Sequence, residues 1–75
     1  MKEMLASIAK AIVDSPDEVT VTEEADGDSI TLTLSVAESD MGMVIGRHGK
    51  IAKAIRSIMK AAANSAGKRV NVEIK

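Results

Sequence analysis

The residues best equipped for chemistry lie together in "VIGRHGK", positions 44–50. Gly46 and Gly49 flank Arg47 and His48, the only histidine in the chain, and Lys50 follows at once. A glycine lacks Cβ, so both positions are free to take positive φ and let another backbone come close. Arg47 offers a planar fork that meets a phosphate through two parallel hydrogen bonds, whereas Lys50 acts more as a point charge. His48 adds an imidazole that can hydrogen-bond at the same turn. Beyond Gly49 the apolar spacing predicts a helix, whose first free amides and dipole favour an anion at that point. Val44 and Ile45 place an apolar wall beside these donors. An extended polyanion carrying flat apolar bases uses both features, whereas a small phosphate ligand does not need the wall.

Other chemistries fit poorly. A Walker A loop needs a glycine where this chain has Val44, and Ser or Thr where it has Ile51. With one histidine, no cysteine and no cluster of metal-ligating residues, the sequence presents no catalytic or metal-binding constellation. The expectation is a protein that is not an enzyme, with no catalytic residues, no metal and no cofactor. The chain also has no Phe, Tyr or Trp, which excludes RNA-recognition folds that stack bases on sheet aromatics.

The net charge of −1 conceals a division along the chain. Residues 1–41 hold two basic and ten acidic side chains, a balance of −8, and residues 42–75 hold eight basic and one acidic, a balance of +7. Five cations and no carboxylate lie between Gly42 and Lys60. That asymmetry points to a localised basic face for an anionic partner, although sorted charges also occur on plain solvated surfaces. At 75 residues the chain is one small domain, 1–75. Its opening segment lacks the uninterrupted apolar core of a signal peptide, and its apolar runs are far short of the ~20 residues of a membrane helix. Together with the absence of cysteine this suggests a cytoplasmic location and no membrane partner.

The elements that must position the loop read as follows. Met4, Leu5, Ile8, Ala9, Ile12 and Val13 have helical spacing, with a stop near Asp14–Ser15 before Pro16. "VTVTEE" and "SITLTLSVA" alternate about the turn "ADGD" and predict a hairpin with one covered face. Ser39 or Asp40 is placed to cap a short helix "MGMVI" that ends at Gly46, with Gly42 as a packing site. A longer helix runs from about Lys50 to Ala66, its core stripe read as Ile51, Ile55, Ile58, Met59 and Ala62. Gly67 sits at C′, and "RVNVEI" makes a last strand with Val70, Val72 and Ile74 inward. The order is α-β-β-α-α-β, and the crossover between the second and third strands suits parallel pairing under helices on one face.

"VIGRHGKIAKAI" resembles the core signature of the K-homology (KH) domain, in which an apolar pair precedes G-x-x-G and a basic, apolar-striped helix follows. The element order looks like the type II arrangement. The stretches "SPDEV", "DMGMVIGRHGKIAKAIR" and "KRVNVEI" are similar to the small stand-alone bacterial KH proteins of the KhpA type. The resemblance covers essentially the whole chain. It implies an α+β fold, a single type II KH domain with a three-stranded mixed sheet and helices packed on one face. It further implies a groove for about four nucleotides of single-stranded RNA, with the loop clamping the backbone.

Carried over residue by residue, Gly46, Arg47, His48 and Gly49 are the clamp, and Lys50 and Lys53 contact the backbone. Val44, Ile45 and Ile51 form the apolar floor; Lys68, Arg69 and Val70 are weaker candidates on a far wall. Arg56 and Lys60 read as a solubilising face. The short acidic hairpin loop at Asp26–Asp28 argues for backbone-driven binding with little sequence preference. The expected role is that of an RNA chaperone or post-transcriptional regulator, paired with itself or with a larger KH-containing protein. Two alternatives stay open: a protein-interaction or dimerisation module that keeps the fold, and single-stranded DNA as ligand.

Overall fold

Leu5 and Ala9, one turn apart and fully buried, define the inner edge of the first helix in a computed structural model that describes residues 1–75. This helix, α1, spans Lys2–Ile12 and closes with the Val13 N–H on the Ala9 carbonyl at 3.1 Å. It stops slightly before Asp14, because Val13 is already extended at φ −87°, ψ 161°. One 3₁₀ turn, Pro16–Glu18, then leads to the hairpin of β1 (Thr20–Asp26) and β2 (Ser29–Ser35). A second 3₁₀ turn, Glu38–Asp40, precedes α2 (Met41–Ile45). The chain ends with α3 (Lys50–Ser65) and β3 (Arg69–Ile74).

The sheet has three strands in the order β1-β2-β3, with β1 antiparallel and β3 parallel to β2. Its register pairs Val21 with Leu34 and aligns Ile30, Leu32 and Leu34 with Val70, Val72 and Ile74. These residues share one face by the two-residue period of a strand. Against that face α1 and α3 close a core of Leu5, Ala9, Ile30, Leu32, Leu34, Ile55, Met59 and Val72. The alternate residues, including Thr22, Thr31, Thr33 and Asn71, form a polar face that no helix covers. This is the α+β architecture, element order and mixed sheet expected from the sequence. No helix is long and apolar enough to cross a membrane.

α3 departs from the expected core stripe. Its buried residues are Ala52, Ile55, Met59 and Ala63, whereas Ile51 and Ile58 are 38% and 45% exposed. Reading the largest apolar side chains as core had turned the helix too far. Ile55 and Met59 pack into the core under the sheet, Ala52 and Ala63 are buried beside them, and the flanking isoleucines stay on the surface. The C-terminus of α3 closes as a Schellman motif, with Lys68 N–H on Ala63 O at 2.8 Å and Gly67 N–H on Asn64 O at 3.0 Å. Gly42 is no packing site: it is exposed, and a side chain there would meet nothing within 4 Å.

Candidate nucleic-acid interface

A five-residue helix, a glycine-bounded turn and the start of a long helix build the site. α2 ends at Gly46, whose N–H closes on the Gly42 carbonyl at 2.9 Å. Gly46 lies at φ 74°, ψ 174°, a region that only glycine occupies without strain. Its bare Cα also admits Ile51: a Cβ there would stand 2.9 Å from the Ile51 Cβ and 3.0 Å from the Ile51 nitrogen. The sequence thus demands glycine here twice, for backbone conformation and for space. Arg47–Gly49 form a 3₁₀ turn in which His48 (φ 57°, ψ 25°) and Gly49 (φ 73°, ψ 16°) are both left-handed. Histidine is among the few non-glycine residues that tolerate this region. The Gly49 N–H returns to the Gly46 carbonyl at 3.2 Å, and α3 starts at Lys50.

This geometry brings Gly46, Arg47, His48, Gly49 and Lys50 together at the N-terminus of α3, with Lys53 one turn on. Arg47, His48, Lys50 and Lys53 are exposed. No carboxylate lies within 4.0 Å of any of these side chains' nitrogens, since the only ion pairs of that length join the terminal amine to Glu3 and Glu23. The positive charge at the loop is therefore unneutralised, and the α3 dipole adds to it. Ile45 and Ile51, 39% and 38% exposed, supply the apolar surface beside it, joined by Met43 at 39%. Met43 was not among the site residues expected from the sequence, where nothing local sets it apart from the other apolar residues of α2.

Val44 does not belong to that surface. It is fully buried and anchors α2 to the body of the protein, so its expected place in the apolar floor is corrected. Val44 is the one buried residue of α2, and its neighbours Met43 and Ile45 are exposed. Lys68, Arg69 and Val70 lie at the opposite end of α3, about 24 Å along a helix of 16 residues from the loop. Arg69 and Val70 begin β3, where the Arg69 N–H bonds the Asp28 carbonyl at 2.8 Å. Arg56 is more than a solubilising residue: its Nε donates to the Val72 carbonyl at 3.2 Å and ties α3 to the outer edge of β3.

An α-β-β-α-α-β chain with a mixed three-stranded sheet and a G-x-x-G turn between its second and third helices is a type II KH domain. The chain belongs to the KhpA/KhpB KH-domain family, whose model matches residues 2–74. It is 58% identical over 74 residues to "RNA-binding protein KhpA" of Clostridium acetobutylicum, a match spanning 99% of each chain. The protein of the same name from Clostridium perfringens is 53% identical over 74 residues, again spanning 99% of each. Among solved structures, Era of Aquifex aeolicus superposes with a TM-score of 0.69 at 20% identity. That match covers 97% of this chain and 28% of Era, and it is a likeness of fold.

Proposed function

We propose that this protein binds single-stranded RNA, with the Gly46–Gly49 turn clamping the phosphate backbone. The observation that carries this reading is the unneutralised group of Arg47, Lys50 and Lys53 around a turn that glycine lets approach a ligand closely. Gly46, Arg47, His48 and Gly49 hold the backbone, Lys50 and Lys53 follow it, and Ile45 and Ile51 meet the bases. The printed name of the family relatives, RNA-binding protein, supports the ligand class. The module is non-catalytic and works in the cytoplasm, as an RNA chaperone or post-transcriptional regulator. Lys68, Arg69 and Val70 stay secondary contacts, since a strand reaching them must run the length of α3.

Fluorescence anisotropy with an unstructured RNA and the matching DNA, over several salt concentrations, tests this. The native affinity is expected to fall with salt, each phosphate contact adding about 0.7 to the log–log slope for a single strand. The double variant Arg47→Asp, His48→Asp is expected to keep its circular dichroism and lose about tenfold or more in affinity. Equal binding by the folded variant would remove the clamp, and the RNA-to-DNA ratio decides the ligand.

A second reading concerns partners. Ile58, 45% exposed, lies on the flank of α3 that also presents Ile51, an apolar strip outside the core. Pairing of two copies, or with a larger KH-containing protein, would cover it and double the clamps on one RNA. Sedimentation of the native chain and of Ile58→Asp is expected to show a shift toward monomer in the variant; identical sedimentation excludes this surface for self-pairing.

A further inference from the structure

Asp40 is the one polar side chain buried in this protein, 2% exposed where every other buried residue is apolar. The sequence places it to cap α2, but its carboxylate makes no bond to the first amides of that helix. Oδ2 instead accepts the Ser15 N–H at 3.0 Å, across 25 residues of sequence. Ser15 belongs to the connection between α1 and β1, just before the Pro16–Glu18 turn. A carboxylate withdrawn from water is unfavourable unless hydrogen bonds replace its hydration, so this contact constrains both partners strongly.

The constraint falls on the element that can least place itself. α2 has five residues, too few for a helix to hold its own position without tertiary contacts. Three features fix it. Val44, fully buried, gives apolar packing, which is not directional. Gly46 interlocks with Ile51 at the C-terminal end. At the N-terminal end the Asp40–Ser15 bond is the only side-chain hydrogen bond joining this region to the rest of the molecule. It is also the directional member of the three.

We infer that Asp40 is a positioning residue for the RNA clamp: by pinning the start of α2 to the α1–β1 connection, it sets where α2 delivers Gly46–Gly49. It does so from the interior, without touching the ligand. The affinity readout rests on the RNA-binding reading above, whereas the exchange readout does not.

The test measures amide hydrogen exchange by residue, together with anisotropy on the same unstructured RNA, for native protein, Asp40→Ala and Asp40→Asn. Asparagine keeps an acceptor oxygen at nearly the same place; alanine removes it. In Asp40→Ala, at a temperature where circular dichroism shows it folded, exchange over residues 41–49 is expected to quicken about tenfold, with α3 beyond Ala52 little changed. RNA affinity is expected to fall about fivefold, and Asp40→Asn is expected to restore both to within about twofold of native. Should the alanine variant not fold, Asp40→Ser, whose hydroxyl is too short to reach Ser15, takes its place with the same expectations. Native exchange and affinity in a folded alanine or serine variant would overturn the inference. So would exchange that quickens evenly over the whole chain, which marks a residue of general stability. If native protein binds no RNA, the functional reading fails by itself, and local or even exchange still decides the role of Asp40.

Discussion

Gly46→Ala is expected to destabilise the protein by about 2–5 kcal/mol, from backbone strain and from overpacking together. At φ 74°, ψ 174° the backbone lies where a side chain is strained whatever the room around it. The room is also lacking, since the added methyl would press on the Cβ and nitrogen of Ile51. Those atoms belong to the first turn of α3 and cannot swing aside as the end of a long side chain can. The whole fold of 75 residues is held by roughly 4–11 kcal/mol, so this one methyl consumes a large fraction. Urea or thermal melts by circular dichroism read the loss. Gly49→Ala is the matched comparison: Gly49 is left-handed too, but a methyl there meets nothing within 4 Å. It is expected to lose only about 1 kcal/mol. Equal losses at the two positions would show that the interlock with Ile51 contributes nothing.

The second large effect is in the sheet. Leu32→Ala is expected to destabilise by about 2–5 kcal/mol, the range for deleting a fully buried leucine. Leu32 is wholly inaccessible at the middle of the central strand, between Glu23 on β1 and Val72 on β3. The core around it has only eight buried residues, all aliphatic or Met, so few neighbours can move in to fill the gap. For a domain this small each kcal/mol lowers the melting midpoint by about 4–8 °C. A drop of roughly 10 °C or more is the expected reading. Thr33→Ala, the next residue but on the uncovered face, is expected to stay within about 1 kcal/mol of native. If the two variants melted together, the assignment of the inner face would be wrong.

What was legible in the sequence follows from how local the determinants are. The alternation of Ile30, Leu32 and Leu34 against Thr31 and Thr33 is a two-residue pattern, and it marked both the strand and its covered face. The glycines at 46, 49 and 67 each announced a backbone event that the chain makes at that position. The rotation of α3 was not legible, because Ile51 and Ile58 carry more apolar weight than Ala52 and Ala63. Which of them is buried depends on how α3 docks on the rest of the fold, which contacts distant in sequence decide. Val44 and Ile45 look alike in sequence, and which one enters the core depends on how a five-residue helix is docked. Asp40 had an adequate local role as a cap, and nothing local reveals that its partner is Ser15. Both glycines of the turn, the cations around them and two exposed isoleucines could be named from sequence, whereas the residues that hold the turn in place could not.

The parallel pairing of β2 with β3 has a consequence in time. α2, α3 and the G-x-x-G turn between them all lie in the crossover, residues 36–68, that separates the two paired strands. During synthesis α1, the hairpin and the crossover therefore emerge while one edge of β2 still lacks its neighbour. The α1–hairpin contacts are short in sequence and form quickly, whereas docking of β3 must close the long loop at an entropic cost that local contacts do not offset. Arg56 has no Val72 carbonyl to hold until that step. α3, which carries the G-x-x-G turn at its N-terminus, thus gains its last contacts only when β3 docks. A ligand that binds only the finished fold shifts this late equilibrium toward the docked state by mass action, so RNA is expected to raise the melting midpoint.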